Sequence, residues 1–154
     1  VQKRNGLNYH EFDCYKFRSM NLNPKAHIEQ VSKNDPRITR VGRFLRKTSI
    51  DELPQFINVF LRQMSAVGPR PHMVSHTEMY AQRVNKFMVR HFVKPGITGL
   101  AQTKGYRGEV EKETDIINRV KYDIFYMENW SILLDIKIIF MTIFNTVKGE
   151  DKAY

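Results

Sequence analysis

Between Ile38 and Arg62 the apolar residues Val41, Phe44 and Leu45, then Leu53, Phe56, Ile57, Phe60 and Leu61, recur at spacings of three and four. That period predicts two amphipathic helices, with a break near Thr48-Ser49. At the N terminus the period is two. Phe12, Cys14 and Lys16 alternate with Asp13, Tyr15 and Phe17, and Asn5-Gly6 ahead of them signals a type I′ turn, so a β-hairpin is expected. Residues 19–36 hold no sustained period and several Asn, Ser and Pro, which predicts loop with a short helix at 25–32. Another helix is expected over 75–92, ended by Lys94-Pro95-Gly96, because proline disfavours helix in the residue before it. Residues 97–104 read as extended and 111–128 as helix. Residues 131–147 are apolar nearly all round, yet Asp135 and Lys137 lie inside them, which suits a buried or interfacial helix better than a span. The predicted class is α+β, mainly helical, with a small N-terminal β-hairpin and extended loops around one site.

Composition narrows this to one domain: 154 residues with 42% hydrophobic and 27% charged side chains provide for one core and leave little room for two. The formal net charge of +9 suits phosphate-bearing partners, and the excess lies mostly in residues 1–72. The single cysteine, Cys14, cannot close an intramolecular disulfide and reads as a buried structural thiol in a reducing setting. The chain opens Val1-Gln2 without an initiator Met and has no apolar run of membrane-spanning length, so it reads as a C-terminal piece of something larger.

Three clusters carry candidate chemistry. In Arg43-Phe44-Leu45-Arg46-Lys47-Thr48-Ser49-Ile50-Asp51-Glu52-Leu53-Pro54-Gln55, adjacent carboxylates sit where a new helix begins. With Asp51 as N-cap, Pro54 falls at the third helical position, where its missing N–H costs no bond. The helix's partial positive charge would then hold Asp51 anionic, as attack on phosphorus requires. Ser49-x-x-Glu52 is equally a capping box, a common way to start any helix, and spacing alone favours that plainer reading. In Val67-Gly68-Pro69-Arg70-Pro71-His72, two prolines stiffen the mount of one arginine, which suits bidentate phosphate recognition. His72 and His76 have metal-binding spacing but no third ligand nearby in sequence, and read as a solvent-facing pair. Pro95-Gly96-Ile97-Thr98-Gly99 and Lys104-Gly105-Tyr106-Arg107-Gly108 offer flexible backbone and basic groups for a diphosphate, without Walker or dinucleotide spacing.

Taken together the chain resembles the bacterial sugar transferases, the monotopic polyprenyl-phosphate hexose-1-phosphate transferases. The likeness runs from Lys16-Phe17-Arg18-Ser19-Met20 through Thr48–Gln55 and Met64-Ser65-Ala66-Val67-Gly68-Pro69-Arg70-Pro71 to Lys94–Gly99. Gly68–His72, Arg107-Gly108-Glu109 and the ending Asn129-Trp130-Ser131…Asp135-Ile136-Lys137-Ile138 are most similar to the undecaprenyl-phosphate glucose phosphotransferase branch, which primes exopolysaccharide synthesis. The resemblance implies that Asp51 attacks the β-phosphate of a UDP-hexose, UMP leaves, and a polyprenyl (undecaprenyl) phosphate takes the phosphosugar from the aspartate. It implies Mg²⁺ at the Asp51-Glu52 pair. Lys16, Arg46, Arg70 and Asp123 match family residues near the site, and Arg107 is a candidate for the nucleotide phosphate or sugar. Two departures stand out: Arg62-Gln63 where the family usually carries Gly-Asp, and Leu100 where it usually carries Trp.

The implied setting is the cytoplasmic face of the bacterial inner membrane. Arg37, Arg40, Arg43, Arg46 and Lys47 would meet lipid phosphates there, and homodimerisation through the apolar C-terminal helix is another way to cover that face. The rival of a basic nucleic-acid-binding domain lacks a helix-turn-helix, RNP or zinc framework. The rival of a non-catalytic membrane-associated assembly module is opposed by the presence of both Asp51 and Glu52.

Overall fold

The chain was analysed as a computed structural model, which describes residues 1–22, 35–108, 110 and 112–148. The helix expected at 25–32 lies outside the described residues. The N-terminal alternation forms β1 (Gln2–Asn5) and β2 (Glu11–Cys14), antiparallel, with Gln2 opposite Cys14 and Asn5 opposite Glu11. Their connection is not the two-residue turn expected. Asn5 belongs to the strand, buried, and its side-chain amide donates to the Tyr9 carbonyl at 3.4 Å, so the chain turns over Gly6–His10. Asn8 and Tyr9 take the left-handed backbone this requires.

The basic amphipathic pattern forms α1 (Arg40–Lys47), capped by Thr39, whose hydroxyl accepts from the Gly42 amide at 2.9 Å. A 3₁₀ turn over Ile50–Glu52 and Pro54 then lead into α2 (Gln55–Phe60). The helix expected over 75–92 divides into α3 (Val74–Arg83) and a 3₁₀ segment, Phe87–Phe92. Val84 is extended and Lys86 left-handed at the division. The kink carries Phe87 back into a core with Tyr80, Val84, Ile116 and Val120.

A second core joins Val67, Leu100, Tyr126 and Ile138. It is built on a parallel pair, β3 (Ser65–Val67) with β4 (Gly96–Thr98), on α4 (Leu100–Thr103), and on α5 (Glu113–Glu128) and α6 (Ile132–Lys148). Only the first part of the expected 97–104 extended segment is strand. Beyond Gly99 the chain coils, and Leu100 and Ala101 are buried. Asp135, one of three charged residues in apolar α6, accepts from the Tyr126 hydroxyl at 2.8 Å and the Trp130 indole at 3.2 Å. Cys14 is buried as expected, with Phe12 and Met64 in a third cluster. Arg62, where the resemblance expects glycine, is left-handed at φ 61°, a conformation glycine adopts without steric cost.

Gly42 shows how closely the segments approach. A Cβ there would lie 1.8 Å from the Ser19 carbonyl oxygen, so the helix is pressed against the strand-like segment that leads to it. Helix propensity alone would favour Gly42→Ala by about 1 kcal/mol. The clash should reverse the sign, giving a net destabilisation of about 1–3 kcal/mol in urea unfolding.

Candidate active site

The 3₁₀ turn between α1 and α2 places both carboxylates inward, Asp51 at 2% exposure and Glu52 at 6%. Asp51 is therefore not the helix cap that spacing suggested, because α2 begins four residues later, after Pro54. Nor does Ser49 form a capping box. It is left-handed, makes no side-chain cap bond, and its hydroxyl accepts from Arg107 at 2.9 Å. What holds Asp51 is an ion pair with Lys16, Nζ to Oδ2 at 2.8 Å, rather than a helix terminus.

Lys16 reaches this position because the segment after β2 is tied to α2. The Phe17 amide donates to the Asp51 carbonyl at 2.9 Å and the Tyr15 amide to Asn58 Oδ1 at 3.0 Å, while Asn58 Nδ2 donates to the Asp13 carbonyl at 2.8 Å. Asn58, fully buried, was not among the expected site residues. Its signal was an amide set between the apolar neighbours Ile57 and Val59 of an amphipathic helix.

Glu52 collects three cations. Arg70 donates to Oε1 at 2.5 Å and to Oε2 at 3.4 Å, Lys16 to Oε1 at 3.4 Å, and Arg107 to Oε2 at 3.2 Å. Burial by itself raises a carboxyl pKa, but Arg70, Lys16 and Arg107 together outweigh it and hold Glu52 well below the ordinary carboxylate value. Arg46 stands off from both carboxylates, its guanidinium 3.9 Å from the Met20 sulfur. Burial lowers its pKa, with Asp51 acting in the opposite sense.

Arg70 rides on a loop braced from two sides. Gly68 and Gly96 exchange strand-like bonds with the opposite loop, the Gly68 amide to the Thr98 carbonyl at 2.8 Å and the Gly96 amide to the Pro69 carbonyl at 2.9 Å. A Cβ on Gly96 would lie 2.1 Å from the Gly68 nitrogen, so only glycine permits this approach. From behind, Arg90 Nη2 donates to the Arg70 carbonyl at 2.8 Å and pairs with Asp123 at 2.8 Å, both side chains 2% exposed.

Asp123 is thus not beside the carboxylate pair but one layer deeper. Arg90, the residue between, was missed because its partner lies 33 positions away and neither has a local pattern. His72 is also relocated. It is buried against Tyr80 and Phe87, ring centroids 5.6 Å away, so the solvent-facing His72/His76 pair is not formed.

For a hard divalent cation the donors are few. No group of three or more His, Cys, Asp or Glu suited to a metal occurs among the described residues. Mg²⁺ is commonly held by one or two carboxylates completed by water and substrate phosphates. Asp51, with only Oδ2 engaged by Lys16, and the adjacent Glu52 fit such a shared site and do not form a closed cage.

Beside Glu52 and Arg107 opens a cleft of about 510 Å³ including its mouth, walled by Leu53, Phe56, Ile97 and Thr98 on one side and α6 on the other. Around it much of the surface is apolar. Phe44 of α1, Phe60 of α2, and Phe140 and Phe144 of α6 are all more than half exposed. The last helix is therefore largely exposed rather than buried, with Ile138 its one fully buried residue among those described. No helix among the described residues is long and apolar enough to cross a membrane.

The sequence profile described as bacterial sugar transferase matches residues 1–149. The chain is 52% identical over 144 residues to the UDP-glucose:undecaprenyl-phosphate glucose-1-phosphate transferase of Klebsiella pneumoniae, covering 93% of this chain and 31% of that protein. It is 51% identical over 145 residues to the protein of the same name from Escherichia coli K12, covering 93% and 31%. A third of that name, from Xanthomonas campestris pv. campestris, is 48% identical over 155 residues, covering 99% and 32%. The chain spans about a third of the length of these relatives.

Two measurements check the buried polar layer. Asp123→Asn should cost about 3–5 kcal/mol in urea unfolding, because it leaves the Arg90 charge buried without its counter-ion. Burial, reinforced by Arg90, Arg119, Arg4 and Arg70, holds His72 well below the ordinary imidazole value. It stays neutral in the fold while the unfolded chain takes a proton near pH 6.5, so the unfolded state binds more protons. Below that pH His72 should therefore subtract about 1.4 kcal/mol of stability per pH unit until its folded pKa is reached, a component that His72→Gln should remove.

Proposed function

This chain belongs to the bacterial sugar transferase family, and we propose that it transfers hexose 1-phosphate, as glucose 1-phosphate, from a UDP-sugar to undecaprenyl phosphate. The observation that carries this reading is a buried carboxylate, Asp51, presented beside a second carboxylate that three cations neutralise. The names of the similar proteins supply the donor and acceptor.

An Asp51 oxygen attacks the β-phosphorus of the UDP-hexose. A new O–P bond forms, the bond from that phosphorus to the bridging oxygen breaks, and UMP leaves with the electron pair. An oxygen of the polyprenyl phosphate then attacks the same phosphorus, releasing Asp51 as carboxylate and yielding a polyprenyl diphosphate-linked hexose. Splitting the transfer in two lets two anionic substrates use one site in turn.

Lys16, bonded to both Asp51 and Glu52, stands where it neutralises charge as the diphosphate approaches. Arg70 and Arg107 lie within reach of the same centre, their guanidinium forks suited to phosphate oxygens. Arg46 supplies positive potential without direct contact. Asp51 and Glu52 would hold Mg²⁺ together with diphosphate oxygens. The cation would offset repulsion between anionic nucleophile and anionic donor.

A lipid acceptor places the work at a membrane surface, the cytoplasmic face of the inner membrane in this reading. The exposed aromatic residues of α1, α2 and α6, with Arg40, Arg43 and Lys47 exposed beside them, suit shallow burial under anionic headgroups. A dimer through α6 would cover part of the same face.

The test supplies membrane-embedded protein with undecaprenyl phosphate, Mg²⁺ and UDP-glucose, and identifies the released nucleotide. UMP is expected, and UDP would indicate direct glycosyl transfer. Asp51→Asn should abolish turnover and the covalent phosphosugar while the protein remains folded, because Lys16 keeps Glu52 as its counter-ion. Undiminished activity in that variant would remove Asp51 from the mechanism.

A further inference from the structure

The cleft between α2 and α6 is polar by composition but apolar in what it offers a ligand. Its α6 wall is formed by Thr142, Asn145 and Thr146, and Thr98, Gln102 and Thr103 line it from β4 and α4. The threonine hydroxyl protons there, and one N–H of each carboxamide, are spent internally. The Thr98 and Thr142 hydroxyls bond each other at 2.6 Å, and Thr142 also bonds the Ile138 carbonyl at 2.8 Å. Thr103 bonds the Leu100 carbonyl at 2.8 Å and Thr146 the Thr142 carbonyl at 2.9 Å. Asn145 Nδ2 donates to the Thr103 carbonyl at 3.0 Å and Gln102 Nε2 to the Ile97 carbonyl at 3.3 Å. Gln102 Oε1 has no partner, yet it is buried away from the open space.

A threonine whose hydroxyl is returned to a helix carbonyl has its methyl left for packing. Together with Leu53, Phe56 and Ile97, these groups make a surface that would bind hydrocarbon and would leave the edges of a nucleobase or a sugar unpaired. Position supplies the rest. Glu52, Arg107 and Ser49 also line the cleft, which therefore borders the cations gathered on Glu52. Phe56, itself a lining residue, is about half exposed, and the helices on either side carry Phe60 at 87% exposure and Phe144 at 66%. A cleft lined both by exposed apolar side chains and by a guanidinium matches a ligand with an apolar tail and an anionic head.

We infer that the cleft between α2 and α6 is the berth of the acceptor, with the first isoprene units of a polyprenyl phosphate along Leu53, Phe56, Ile97 and the α6 threonines and its phosphate directed to Arg107. The inference rests on the transfer reaction proposed above and adds which wall of the site takes which substrate. It leaves the opposite side of the carboxylate pair, toward Lys16 and Arg70, to the sugar nucleotide.

Thr146→Trp fills the cleft from the partly exposed face of α6, and Phe56→Asn removes apolar wall at an exposed position, so neither depends on repacking a core. In vesicles, both should raise KM for undecaprenyl phosphate about tenfold or more, while KM for UDP-glucose stays within about twofold. An unchanged acceptor KM, or a rise in the UDP-glucose KM in its place, would overturn the assignment. A photoactivatable prenyl phosphate gives a readout independent of turnover. Label on peptides covering 53–57 and 142–146 supports the berth, and label elsewhere refutes it. A wild-type protein that binds the prenyl probe in the cleft yet releases no UMP from UDP-glucose would fail the proposed reaction while leaving the lipid site standing.

Discussion

Removing a carboxylate from water costs several kcal/mol unless opposite charge replaces the lost hydration, and Glu52 is removed almost completely. Its compensation comes from Lys16, Arg70 and Arg107, drawn from the segment after β2, the loop after β3 and the loop after α4. Because all three segments bring a cation to it, Glu52 couples their placement. In the proposed reaction the same cations would already be gathered when the anionic donor arrived. Little reorganisation is left for the moment of reaction, the condition under which electrostatic stabilisation is most effective.

Behind this centre lies a second polar layer that meets its backbone without touching the two carboxylates. Asn58 ties the approach of Lys16 to α2, and Arg90, neutralised by Asp123, clasps the carbonyl of Arg70. Buried polar groups of this kind confer direction more than stability, since an apolar core of the same volume would hold as well but would not aim a guanidinium. The close passage of Gly96 over Gly68 does the same work at the backbone. Arg70 is held by its loop, by the strand pair and by an ion pair beneath.

The outer surface follows a different rule. Residues that the helical period marks as apolar, such as Phe44, Phe56, Phe60 and Phe144, are left uncovered, while one buried cluster is built from α3, the 3₁₀ segment after it, and α5, and a second from β3, α4, α5 and α6. An apolar face this broad is costly in water and points to contact with another apolar phase. Its position beside the cleft and the carboxylate pair sets apolar and charged surfaces side by side, as the proposed amphiphilic acceptor would require.

Local pattern was enough to locate the hairpin, the helices on either side of Thr48-Ser49, the long helix before Glu128 and the apolar one after it, because periods of two and near four are properties of consecutive residues. The adjacency of Asp51 and Glu52 and the stiff mount of Arg70 are likewise covalent facts. What surrounds those groups is not. Arg107 meets Glu52 from 55 residues away, whereas Asp123, matched by resemblance to the same site, turns inward to Arg90, and His72 enters the aromatic core. A helical period says which residues share a face and is silent on whether protein, water or lipid covers it. Only the packing of distant segments determined that Asp51 is held by Lys16 rather than by a helix end, and that the last helix keeps most of its apolar surface outside.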